Sequence, residues 1–154
     1  MPRLVHLIDS YEYVRSNCWQ HQIYDALKEH FGVGYAAVTL QETLGAHVPE
    51  CDVVLSTLKL RTVYRNREQL KEYLGGKEVC VYDQDPWEAF IDQGSFLGAY
   101  EGIDASLNVR TFINTSKWWS DYVDAQGMLC EFVRMWPKVE YCSSEPAWRH
   151  RPVK

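Results

Sequence analysis

Closely spaced cysteine pairs are missing from this chain, and that argues against two common ways of building a domain. The five cysteines are Cys18, Cys51, Cys80, Cys130 and Cys142. Their number is odd and no two form a C-x-x-C pair, so neither a disulfide framework nor a zinc site is expected. Cys80 and Cys130 lie in apolar runs, where the thiol acts as a small hydrophobe. A reducing, cytoplasmic setting fits this usage. Long hydrophobic runs are missing too. Nothing approaches the roughly 18 apolar residues of a membrane span, and the apolar stretch near Met1 is broken too early for a signal peptide. Positive charge is not in excess. The formal net charge is −5, the wrong sign for a phosphate-binding footprint, so nucleic acid is not the expected partner.

Several catalytic and cofactor motifs are also absent. The loop 9–17 holds no glycine, so a pyrophosphate could not approach the backbone and the dinucleotide fingerprint fails. Gly75-Gly76-Lys77 is not a Walker loop; it falls between a helix and a strand, as a helix stop. A phosphoacceptor domain needs an acidic pair after its first strand, but Asp9 stands alone. Gly-x-Ser-x-Gly does not occur. His6 falls inside a strand, His21 and His30 on the polar side of a helix and His47 in a loop, so each reads as structural or solvated. No cofactor is expected.

What the 154 residues do contain is one domain's length of alternating strand and helix patterns. Strands are expected at 4–8, 35–40, 52–55, 78–82, 109–113 and 130–135. Ser16 or Asn17 caps a helix with the stripe Trp19, Ile23, Ala26, Leu27 and Phe31. Asn66 opens one carrying Leu70, Tyr73 and Leu74. Ser95 caps one carrying Phe96, Leu97, Tyr100, Ile103 and Leu107. Thr115 or Ser116 caps one carrying Trp118, Trp119, Tyr122 and Val123, stopped at Gly127. The alternation implies βαβ units and an α/β fold: a doubly wound, Rossmann-like three-layer sandwich with a mainly parallel sheet of five to six strands. The simplest strand order is 3-2-1-4-5, with room for a sixth. This domain spans residues 1–137. Residues 138–154 are polar, carry Pro146 and Pro152, end basic, and read as a linker or docking tail.

The most informative stretch is Asp83-Gln84-Asp85-Pro86-Trp87, at the end of an apolar strand. Ligands of open α/β sheets sit beyond the carboxyl ends of the strands. Carboxylates there can hold a metal, accept hydrogen bonds from sugar hydroxyls or cap the next helix, and an indole offers a flat apolar face. Asp-Pro is also ordinary turn chemistry. The other loops at that edge supply Tyr11, Tyr13, Arg15, Asn17, Lys59, Arg61, Arg65, Asn114, Ser116 and Lys117. Rings, amides, carboxylates and guanidinium groups suit a polyhydroxylated or phosphorylated ligand. The plain alternative is that loops are polar anyway.

A strand ending in Asp83-Gln84-Asp85-Pro86-Trp87, then Gly98-Ala99-Tyr100, Leu107-Asn108-Val109 and Phe112-Ile113-Asn114-Thr115-Ser116-Lys117-Trp118-Trp119, resembles the N-terminal half of GT-B glycosyltransferases of the retaining glycogen-synthase-like type. In that family two Rossmann-like domains face each other across a cleft. The N-terminal one mainly binds the acceptor, and the C-terminal one holds the sugar nucleotide. The chain departs from the pattern in three places. Tyr11 to Asn17 replaces a Gly-Gly loop, Tyr82-Asp83 replaces a His-Asp, and Met135-Trp136-Pro137 replaces an Asn-Gly.

The resemblance implies an acceptor-binding domain of a hexosyltransferase-type enzyme, inactive without the missing C-terminal donor domain. Its acceptor would be a sugar or glycolipid. Tyr11, Arg15, Asn17, Arg61, Trp87, Ser116 and Lys117 are the candidate substrate contacts, with Asp83 and Asp85 as catalytic candidates. Two other readings stay open. One is a non-catalytic α/β interaction module. The other is a metal-dependent glycosyltransferase using Asp83-x-Asp85, as in GT-A enzymes, to bridge a divalent ion to the donor diphosphate.

Overall fold

Leu4–Ile8 is apolar but for His6, and a strand of that composition needs cover on both faces, which a central parallel strand provides. The computed structural model describes residues 3–16, 18–83, 95 and 97–134, and Leu4–Ile8 (β1) is buried at every position in it. Five more strands lie parallel in the same sheet: Tyr35–Thr39 (β2), Val53–Ser56 (β3), Val79–Asp83 (β4), Val109–Asn114 (β5) and Cys130–Phe132 (β6). Helices flank the sheet, so the fold is the expected α/β sandwich. Among the described residues they are Tyr11–Ser16 (α1), Cys18–Phe31 (α2), Leu60–Arg65 (α3), Arg67–Leu74 (α4), Gly98–Ser106 (α5) and Lys117–Ala125 (α6).

The strand order is β2-β1-β3-β4-β5-β6, not the expected 3-2-1-4-5. Residues 40–52, after β2, add no further strand outside β2 but form a 3-10 turn at Gln41–Thr43 and lead back to the far side of β1. Gln69 of α4 fixes this connection, donating to the Leu40 carbonyl at 3.1 Å and the Thr43 hydroxyl at 2.7 Å. No period-of-two pattern marked where that return would dock. The chain thus leaves β1 in one direction and β3 in the other. Right-handed crossovers then send the helices to opposite faces.

The two faces differ in chemistry. On one, Leu7, Val54, Val81 and Phe112 join Leu60, Val63, Leu70, Ile103 and Val123 from α3 to α6 in the apolar core. On the other, β1 presents His6, and α2 meets it with Tyr24, the ring centroids 6.5 Å apart. Gln20 of α2 donates to the Thr57 carbonyl at 2.9 Å. Gln20 and Gln22 are buried, whereas Trp19 and Ala26 of the expected stripe are exposed. The polar groups of β1 and the β3 end select the polar residues of α2, and its apolar stripe turns partly outward.

Two helices occupy segments read as loops. The segment 9–17 contains α1, whose first turn is fixed by the Tyr13 amide donating to the Ser10 hydroxyl at 3.0 Å. The segment 56–65 contains α3, which buries Leu60 and Val63. At 6 residues each, both are too short for a helical period to emerge. Asn66, expected to open α4, sits at the joint of α3 and α4, where its side chain donates to the Thr62 carbonyl at 2.8 Å. Gly75 ends α4 at φ 57°, a left-handed stop. β6 closes at Phe132, short of the expected 135. No helix among the described residues is long and apolar enough to cross a membrane.

Candidate functional site

Parallel strands all deliver their following residues to one edge, so the carboxyl ends of β1, β3, β4 and β5 form a common rim. With this strand order the crossovers diverge between β1 and β3. The loops there are tied together: the Lys59 ammonium, after β3, lies 5.5 Å from the centre of the Tyr13 ring of α1. Tyr11 opens α1 half-exposed, and its hydroxyl donates to the Ala37 carbonyl of β2 at 3.2 Å. Burial, with Glu42 and Tyr24 nearby, raises its phenol above the ordinary value. Arg15 is exposed in the last turn of α1, and Arg61 is half-buried in the first turn of α3.

Beneath this part of the rim is a buried polar cluster. His6 Nδ1 lies 2.7 Å from the Tyr35 hydroxyl, and Nε2 lies 2.8 Å from the Thr57 hydroxyl. Burial lowers the His6 pKa to about 4, so the ring is neutral at pH 7. Burial also raises the Tyr35 phenol well above its ordinary value, so it keeps its proton and can donate to Nδ1. Thr57 Oγ1 reaches the Leu7 carbonyl at 3.4 Å, which leaves it to accept from Nε2–H. With both ring nitrogens engaged, His6 is a structural group, as its place in a strand implied.

A second cluster lies at the ends of β4 and β5. Asp83 is 2% exposed. Its Oδ2 accepts from the Tyr100 hydroxyl of α5 and from the Asn114 side-chain amide at 3.4 Å. That amide also donates to the Asp83 carbonyl at 3.1 Å. Tyr100 in turn accepts from Trp119 Nε1 of α6 at 2.8 Å. Burial and the adjacent Asp83 carboxylate raise the Tyr100 phenol far above its ordinary value, so it remains a donor. Asn114 Oδ1 accepts from the Ser116 amide at 2.7 Å, and Ser116 Oγ accepts from the Trp119 amide at 3.4 Å. Asp83, Tyr100, Asn114, Ser116 and Trp119 thus form one continuous network at the rim.

Asp83 is thus buried and hydrogen-bonded within this network, and Ser116 caps α6. Lys117 is exposed, but its ammonium meets both Asp121 oxygens at 2.8 Å and 2.7 Å, so an anion must compete with that pair. Asn17, Asp85 and Trp87 lie outside the described residues, as do residues 138–154. Among the described residues, no group of three or more His, Cys, Asp or Glu side chains could hold a metal ion. Tyr100 and Asn114 are the site residues whose roles sequence patterning missed. Tyr100 read as core stripe, and only the facing Asp83 gives its hydroxyl a purpose. Trp118 was expected on the buried stripe of α6, yet it is 72% exposed, whereas Trp119 is 4% exposed. No protein-family model, curated protein or solved structure matches this chain.

Proposed function

We propose that this chain is the acceptor-binding domain of a GT-B-type glycosyltransferase, with the carboxyl rim of its sheet as the sugar- or glycolipid-binding face. The observation that carries the reading is the Asp83–Tyr100–Asn114–Ser116 network. It joins, at the rim, Asp83, Tyr100, Asn114 and Ser116, which belong to stretches that carry the family resemblance. A preorganised polar scaffold beside exposed rings suits a ligand rich in hydroxyls. Transfer also requires stabilising the departing nucleotide diphosphate. The rim's cations are dispersed over α1, α3 and α6, and Lys117 is already paired. A second, donor-binding domain would supply that clamp.

The metal-dependent alternative draws less support, because Asp83 already spends Oδ2 on two donors. The interaction-module alternative is favoured by one observation: Leu129, Phe132 and Val133, along the β6 edge, are exposed. Calorimetric titration with UDP-, GDP- and ADP-sugars, with and without Mn²⁺, and separately with sugar and glycolipid acceptors, tests the three. The acceptor reading expects acceptor binding without sugar-nucleotide turnover by the 154-residue chain. Turnover by this chain alone would sink it, and metal-dependent turnover lost in Asp85→Asn would install the metal-dependent enzyme instead.

A further inference from the structure

An indole that remains 72% exposed at the start of a helix has at least one ring face open to solvent. Trp118 is nonetheless not loose. Its ring is parallel to that of Tyr122 within 3°, the centroids 5.9 Å apart, and it leans on the buried Trp119 at 5.9 Å. Trp119 is itself pinned by its hydrogen bond to Tyr100. The exposed ring therefore leans, through Trp119, on the network that holds Asp83, two residues from Ser116 at the sheet rim. Rigid and exposed, it loses little freedom when a flat ligand covers it.

We infer that the open face of Trp118, its other face backed by the stacked Tyr122 ring, is a shelf on which the apolar face of a neutral sugar ring stacks, with the Asp121 and Lys117 head groups meeting its hydroxyls. The inference rests on the acceptor reading and deepens it by naming the chemical group held. A pyranose presents polarised C–H bonds on one face, and these match the negative face of an indole. Its hydroxyls radiate in the ring plane, where a carboxylate that accepts and an ammonium that donates can each reach one. Charge favours a neutral ring over a phosphorylated one. Asp121 neutralises Lys117, and Asp124 on the same helix leaves α6 net negative. Size weighs against a protein partner on the shelf alone. Two aromatic side chains offer at most about 500 Å² even when wholly covered, whereas a stable protein interface needs about 800 Å² from each partner.

The test is a titration of the full chain with neutral methyl hexopyranosides and their short oligomers, followed by the indole and tyrosine ring resonances. The expected result is a saturable shift of the Trp118 indole signal. Trp118→Ala should weaken binding at least tenfold, Trp118→Phe should restore part of it, and Asp121→Asn should weaken it severalfold. Because Trp118 is exposed, its variants keep the fold, which circular dichroism verifies. Binding that survives Trp118→Ala but is lost in Arg15→Ala or Arg61→Ala overturns the shelf and leaves the acceptor reading standing. Failure of every sugar and glycolipid to perturb any resonance overturns both. A sugar-independent shift that grows with protein concentration and vanishes in Trp118→Ala also overturns the shelf, assigning the rings to self-association.

Discussion

Tyr100 donates to Asp83 and accepts from Trp119, so Tyr100→Phe removes a donor from a buried carboxylate and an acceptor from an indole N–H together. Losing one partner of a buried charged hydrogen bond is more costly than losing a neutral one. The variant should lose about 3 kcal/mol of unfolding free energy in urea, whereas Tyr122→Phe, on the exposed side of α6, should change it little. His6 supplies a different test, by pH. Its folded pKa of about 4 lies below the ordinary 6.5, so the fold favours the neutral ring. Stability from this group is whole above pH 6.5 and declines as pH falls towards and through about 4. The loss by pH 4 should be about 3 kcal/mol. In His6→Gln that part of the acid limb should flatten in urea titrations stepped through pH. The partners of neither are visible in a sequence pattern. His6 reads as a structural strand residue and Tyr100 as a stripe residue, and each acquires its hydrogen bonds only from other elements.

Gly102 decides how closely α5 approaches α3, because a Cβ built there would lie 2.4 Å from Tyr64 Cε2. Tyr64 cannot swing away freely, since the Arg67 guanidinium stacks 4.5 Å from its ring centre. Gly102→Ala gains about 1 kcal/mol of helix propensity but forces the ring into a filled core, at a cost of about 1–3 kcal/mol. The expected net is destabilisation. Adding Tyr64→Ala should recover it as a positive coupling in a double-mutant cycle, while no coupling would mean the helices are further apart than this geometry. The elements themselves were largely legible, because the strands and α2, α4, α5 and α6 carry apolar periods long enough to read. What escaped was α1 and α3, each 6 residues, and which face of α2 and α6 turns inward. Hydrophobicity alone assigns Trp19 and Trp118 to the interior. The sheet instead offers α2 a mixed surface, with the buried His6 between Leu4 and Ile8, and α6 seats Trp119 on Tyr100 and leaves Trp118 outside.

For the whole molecule, the doubly wound plan followed from alternation, but the strand order did not. Order depends on which way the chain turns after β2, and the segment 40–52 carries no periodicity that points either way. The site was legible as an edge of polar loops. Its division into a braced network at β4–β5 and a separate cluster at β1–β3 was not, because that depends on contacts between distant helices. The order found also has a dynamic consequence. The apolar core joins α3 to α6 with the sheet, while α2 meets it through Gln20, Tyr24 and His6, and β2 is only half-buried along its length. Polar contacts of this kind contribute less net stability than apolar packing, so the β2–α2 corner is expected to open first. Amide hydrogens of β2 and α2 should exchange by partial opening well before those of β4 and β5, which exchange only on global unfolding. Mild proteolysis should accordingly nick the N-terminal quarter first, while the rim at β4–β5, braced by Tyr100 and Asn114, stays closed.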